Sequence, residues 1–241
     1  MTSDAGARSS NGLAVLWDVI VAPREAFATL RERPYVGWAF LATCILGMAG
    51  ALLQIPAGEH VAVATLSSNA THDPRIAAMT PEQIQQTITI SKTVQHWTWA
   101  FYPVIAALAF LVTAIVLLVL NAIGRGDGSF RKSLAIAANV GFLSFGINYF
   151  VIGVLAALRG GDAFNVTLDL ISLMPSFAWL APGAPVKLAT FLAGFNIFSL
   201  WSFVLLALGM RVTMRVSPAV AWGGAALFLI GAAAIPSAFA R

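Results

Sequence analysis

The apolar positions of this chain fall into long blocks separated by shorter polar stretches. A membrane-spanning helix needs roughly 20 consecutive, mainly apolar residues, and five blocks meet that length: Tyr35–Ile55, Trp97–Ile123, Leu134–Leu158, Leu188–Met210 and Ala219–Ala238. No Asp, Glu, Lys or Arg interrupts any of them. Ahead of the first stands LWDVIVAPREAFATLRERP, Leu16 to Pro34, half apolar, arginine-studded and too short to cross a bilayer. Its periodicity is helical, because Leu13, Leu16, Trp17 and Ile20 recur at i, i+3, i+4 and i+7. Pro23 then restarts the helix, since proline suits a first helical turn. Pro23, Ala26, Phe27 and Leu30 form one apolar arc, flanked by Arg24 and Arg31, with Glu25 and Glu32 opposite. A helix of this kind lies in the interface plane with its apolar face among the headgroups; the same face can also pack on the ends of a helix bundle. The pattern predicts an all-α, polytopic integral membrane protein. It comprises a disordered N-terminus over 1–11, an amphipathic interfacial helix over 12–34, and a five-helix transmembrane domain over 35–240.

The connections carry their own signals. Residues 56–96 are the longest hydrophilic stretch, and within it Thr80-Pro81-Glu82-Gln83 is a helix start: a threonine cap, a proline at the first position and a glutamine three residues on. The helix is expected to run from Pro81 into the second span, with a bend at Pro103. GRGDGSFRKS, Gly124 to Ser133, is a short glycine-rich turn between spans two and three. Between Arg159 and Val186 the apolar run Val166–Leu180 is broken by Asp169 and Pro175, and its length predicts an interfacial or re-entrant piece rather than a span. Ser217-Pro218 opens the last helix.

Composition sharpens the class. Charged residues make up 10% of the 241 and hydrophobic ones 59%, against about 25% charged in soluble domains, and mean hydropathy is +0.84. The first 34 residues do not read as a cleaved signal peptide, because arginines and prolines interrupt any apolar core. Cys44 is the one cysteine, so no intramolecular disulfide forms. Cytoplasmic loops carry an excess of Lys and Arg. With the N-terminus inside, the inner segments hold Arg8, Arg24, Arg31, Arg33, Arg125, Arg131, Lys132, Arg211 and Arg215, while five basic residues spread over longer outer loops. The expected location is a cell inner (plasma) membrane, multi-pass, N-terminus cytoplasmic and C-terminus outside. The net charge of +4 is then mostly a topology signal, and no nucleic-acid partner is expected.

Candidate chemistry is sparse. Gly124-Arg125-Gly126-Asp127-Gly128-Ser129 lacks the spacing of a phosphate loop, and no strand precedes it. Glu59-His60 and His72-Asp73 have no metal-ligand spacing, and His96-Trp97 with Trp99 and Tyr102 reads as an interfacial aromatic belt. No nucleophile elbow or paired carboxylates occur, so a non-enzymatic protein without cofactor or metal is expected. Asn121, Asn139, Asn148 and Asn196 are the polar residues at depth; they either hydrogen-bond between helices or line a path for a polar ligand or lipid. Trp17, Arg24, Phe27, Arg31, Arg131 and Lys132 are the candidate contacts for partners, which are the bilayer, other membrane proteins or a second copy.

Three segments carry a resemblance: LWDVIVAPREAFATLRERP, GRGDGSFRKSLAIAA, and NIFSLWSFVLLALGMRVTMRVSPAVAW at Asn196–Trp222. In this order, with five spans, the chain resembles the Yip family of membrane proteins, named for interacting with Ypt/Rab GTPases. The matching positions are Pro23, Phe27, Leu30 and Pro34; Gly126, Gly128, Ser129 and Phe130; and Phe198, Trp201, Gly209, Ser217 and Ala221. Family members commonly carry a proline in the third span, where Ala138–Phe150 has glycines instead. The resemblance implies the five-span fold and, in eukaryotic relatives, trafficking partners; the Ala/Gly-rich composition suggests a bacterial member, so the fold carries over rather than the GTPase partner. The reading is of a scaffold or partner-binding protein organising membrane proteins or lipids, the alternative being a small-molecule transporter or lipid-handling protein.

Overall fold

The computed structural model describes residues 11–69 and 74–240. Of the expected disordered N-terminus over 1–11, all but Asn11 falls outside them, as does the His72-Asp73 pair. The described chain is helical: α1 (Gly12–Val21), α2 (Pro23–Glu32), α3 (Gly37–Asn69), α4 (Pro74–Ala77), α5 (Pro81–Ile123), α6 (Phe130–Gly141), α7 (Asn148–Arg159), α8 (Thr167–Ile171), α9 (Val186–Ala193), α10 (Ile197–Thr213) and α11 (Pro218–Phe239). A π-helical turn, Phe142–Ile147, joins α6 to α7. Among the described residues there is no strand, only an isolated bridge between Ser176 and Asn196. The protein is an all-α, polytopic membrane protein. Among the described residues, four helical stretches are long and apolar enough to cross a membrane, Gly37–Ser67, Pro81–Ile123, Phe130–Arg159 and Pro218–Phe239, and the 17-residue apolar α10 joins them.

Two boundaries differ from the sequence pattern, each for a physical reason. The first apolar block was expected to end at Ile55, yet α3 runs through Pro56 to Asn69. An internal proline forfeits a backbone hydrogen bond. Here the continuation is sustained by packing, because Ala57 and Val61 are buried with Ala156 and Phe164, and Leu170 and Leu173 pack against them. Helix α5 starts at Pro81 as its capping box requires: the Thr80 amide donates to Gln83 Oε1 at 2.8 Å, and the Gln83 amide to Thr80 Oγ1 at 3.3 Å. It continues unbroken through Pro103 for 43 residues.

The second difference is in the block expected as the fourth span, Leu188–Met210, which is divided at Gly194–Asn196 into α9 and α10. Asn196 causes the break. Its Oδ1 accepts the Phe198 and Ser199 amides at 3.0 and 3.1 Å, and Ser199 Oγ accepts the Asn196 amide at 2.9 Å. That satisfies the amides that a new helix leaves orphaned. The Phe195 carbonyl, released from the helix, accepts the Phe177 amide at 3.3 Å. An Asn196→Ala substitution is expected to lose about 1 kcal/mol, read as a thermal midpoint lower by roughly 2–4 °C, with Asn196→Asp close to wild type.

By packing, the chain divides into two compact units. The first comprises 1–43, 106–143 and 201–228; the second comprises 44–105, 144–200 and 229–241. In the first unit, Phe27 and Leu30 are fully buried with Ile136, Leu205, Met210 and Met214. In the second, Gly50 of α3 meets Gly153 of α7 backbone to backbone. There Tyr102 lies against Gly47 and Tyr149, its ring 5.2 Å from the Tyr149 ring. Its hydroxyl donates to the Phe145 carbonyl inside the π-turn, where the wider winding leaves a carbonyl for a side-chain donor.

Candidate functional site

The amphipathic arc read from the sequence turns inward in α2. Ala26, Phe27 and Leu30 are buried, with Phe27 and Leu30 at 0% exposure. The Phe27 ring fills the space that a side chain at Gly209 would need, and its carbonyl accepts the Thr213 hydroxyl at 3.0 Å. Phe27 therefore cannot act as an exposed partner contact, and its place among those contacts is corrected: α2 packs on the helices instead of laying this face among headgroups. In α1 the expected single stripe splits. Val15, Leu16 and Val19 are buried, while Leu13, Trp17 and Val21 face outward, Trp17 at 65% exposure. Their spacing of four residues puts these three on one side of the helix.

The turn between α5 and α6 is built around Asn121 and Asp127. Asn121 Oδ1 accepts the Gly128 amide at 2.9 Å, its Nδ2 donates to the Gly128 carbonyl at 3.3 Å, and its main-chain carbonyl accepts the Gly126 amide at 2.9 Å. A side chain at Gly126 or Gly128 would collide with Asn121 and Met214, so the glycines let the turn close on the α10–α11 loop. The Asp127 amide locks this contact by donating to the Met214 carbonyl at 2.9 Å. Ser129 then caps α6, its Oγ accepting the Lys132 amide at 3.4 Å.

The Asp127 carboxylate draws together cations from three elements. Arg31 Nη2 of α2 stands 3.2 Å from Oδ2, Arg215 Nε of the α10–α11 loop 3.7 Å from the same oxygen, and Lys132 Nζ of α6 3.8 Å from Oδ1. Lys132 Nζ also donates to the Asp127 carbonyl at 3.3 Å. Of the sequence-predicted contacts, Arg31 and Lys132 thus meet at one carboxylate, while Arg24 and Arg131 are exposed elsewhere in the same unit. Asp127 and Arg215 were not among the predicted contacts. The signal for Asp127 was a lone acid in a glycine-rich turn followed closely by Arg131 and Lys132.

Charge is unevenly shared. Among the described residues, the first unit holds Arg24, Arg31, Arg33, Arg125, Arg131, Lys132, Arg211 and Arg215 against Asp18, Glu25, Glu32 and Asp127. The second holds Arg75, Lys92, Arg159 and Lys187 against Glu59, Glu82, Asp162 and Asp169. The first unit is therefore cationic and the second balanced.

The asparagines at depth serve as structural donors and acceptors. Asn121 holds the turn, and Asn196 caps α10. Asn139 is buried, its Nδ2 donating to the Tyr35 and Ala135 carbonyls at 2.9 Å each. Asn148 is the exception, with a buried Oδ1 that lacks a hydrogen-bond partner.

Several of the residues that carry the resemblance have packing roles in the first unit. Phe27 and Leu30 are its core, Gly126 and Gly128 admit the loop contact, Ser129 caps α6, Gly209 receives Phe27, and Ala221 is fully buried. In the third span the helix is irregular through the Phe142–Ile147 π-turn. Comparison with protein families matches the Yip1 domain over residues 17–238. The membrane protein YknW of Bacillus subtilis (strain 168) is 30% identical over 224 residues, which cover 93% of this chain and 88% of the relative. No solved structure matches the chain. With nearly the whole chain inside the matched region, from the α1–α2 hairpin to the end of α11, the protein belongs to the Yip1-domain family.

Proposed function

We propose that the chain is a non-enzymatic scaffold that holds a membrane-protein partner against the exposed face of α1. One observation carries the reading: Leu13, Trp17 and Val21 form an outward apolar stripe on a ten-residue helix whose other side, Val15, Leu16 and Val19, already serves the core. A helix of that length cannot span, and the fold does not need the stripe. An exposed aromatic in a unit rich in cations fits the composition of interface anchors. The excess of Lys and Arg in the first unit supports a cytoplasmic location for α1, α2 and the 124–129 turn, in a bacterial inner membrane. The hydrogen bonds that Asn121, Asn139 and Asn196 make within the fold favour a structural role for them over a polar path, with Asn148 the one of the four whose Oδ1 has no partner.

A photoreactive residue at position 17, activated in intact membranes, tests the proposal. A discrete protein adduct is expected at position 17, with none when the same residue replaces the bilayer-exposed Leu108 of α5. Lipid adducts alone at position 17 would make α1 an interfacial anchor and overturn the scaffold reading.

A further inference from the structure

Three cations meeting one carboxylate leave two positive charges uncompensated. Arg31 and Arg215 both approach Asp127 Oδ2, at 3.2 and 3.7 Å, and Lys132 approaches Oδ1 at 3.8 Å. At such separations like charges repel, and a further anion relieves the repulsion. The three come from α2, α6 and the α10–α11 loop, so their convergence is a product of tertiary structure and not of one charged helix face. Lys132 also lies in the first turn of α6, where the helix dipole disfavours a cation and favours an anion. Nothing in helix stability explains a lysine there.

The cluster is held open and fixed. The Asp127 side chain is 44% exposed and that of Arg215 64%, while Arg31 and Lys132 are half-buried. The Asp127–Met214 backbone bond ties the two loops together, and Arg125 and Arg215 adopt left-handed conformations with φ of 51° and 55°, which non-glycine residues rarely take. Guanidinium forks match the oxygens of a phosphate two at a time, and an ammonium adds a point charge.

We propose that Arg31, Lys132 and Arg215 bind the phosphate of an anionic phospholipid headgroup. The source is a lipid because Lys132 stands two residues into the membrane-spanning stretch Phe130–Arg159, where basic side chains reach headgroup level. The exposed ring of Phe130 stands at the start of the same stretch.

The full-length chain would be purified in mixed micelles of equal phosphatidylglycerol and phosphatidylcholine, and its retained lipid quantified by mass spectrometry. Phosphatidylglycerol is expected to be enriched, Arg215→Gln and Lys132→Gln to reduce that enrichment about fivefold each, and Lys187→Gln in the second unit to leave it unchanged. Asp127→Asn removes the resident carboxylate and is expected to raise retention; a purely structural ion-pair hub would lose it. Size-exclusion profiles confirm folding, and Arg215→Lys, which keeps the charge, should restore most of the enrichment if Arg215→Gln unfolds. Equal retention of both lipids, or enrichment indifferent to Arg215→Gln and Lys132→Gln, overturns the proposal. So does thermal protection of the lipid-free chain by inorganic phosphate equal to that by phosphatidylglycerol, which would make the ligand a free anion.

Discussion

Gly153→Leu is expected to lower the thermal midpoint of the solubilised chain by on the order of 5–10 °C. The reason is the contact between α3 and α7. A Cβ on Gly153 would stand 2.6 Å from the Gly50 carbonyl oxygen and 2.8 Å from its Cα; a Cβ on Gly50 would stand 2.6 Å from the Tyr149 carbonyl oxygen and 2.9 Å from the Phe150 Cα. These neighbours are backbone atoms and cannot rotate aside, so the helices must separate. Separation strips contacts from the surrounding side chains, including Gln54 of α3, whose Nε2 donates to the Tyr149 carbonyl of α7 at 3.5 Å. Lipid tails are as apolar as the side chains they would replace, so inside a membrane close packing and polar contacts hold helices together. Gly231→Ala in α11 is the matched comparison. Nothing lies within 4 Å of its Cβ position, and alanine improves helix stability by roughly 0.5–1 kcal/mol over glycine, so its midpoint should stay level or rise. Equal losses in both variants would show that glycine content, not this contact, sets stability.

The long spans are legible in the sequence because apolar length alone identifies them, whatever their neighbours do. What packing or capping decides is less visible. The continuation of α3 past Pro56 rests on Phe164 and Ala156, more than ninety residues away, and no local pattern announces it. The break in the fourth apolar block does have a local sign: Asn196 followed by Ser199 is a cap signature inside an apolar run, outweighed there by hydropathy summed over a window. At the basic surface, Arg31 and Lys132 can be picked out because helix phase and the positive-inside bias single them out. Asp127 and Arg215 gain their importance only when two loops meet, through the Asp127 amide and the Met214 carbonyl. Phe27 illustrates the ambiguity of an amphipathic arc: its spacing says that one face is buried, and says nothing about whether lipid or protein covers it.

That ambiguity makes Phe27→Glu the other large effect. If Phe27 were a surface contact, glutamate would leave the fold intact and abolish only partner binding. The ring is instead 0% exposed, within van der Waals reach of the Gly209 position and beside Ile136. Removing a buried Phe costs about 3–5 kcal/mol, and an unpaired carboxylate in the space adds several more by desolvation. The sum rivals the entire stability of a typical domain, about 5–15 kcal/mol. The expected result is a chain that fails to yield a monodisperse peak on size exclusion. Phe27→Leu should remain folded, losing at most about 2 kcal/mol as a smaller apolar side chain. The informative pairing is with the position-17 photo-crosslink. In Phe27→Leu the adduct should persist at wild-type yield, because the ring is buried in the core of the first unit and does not reach the partner. A well-folded Phe27→Glu that had lost only the adduct would return Phe27 to the surface and α2 to the headgroups.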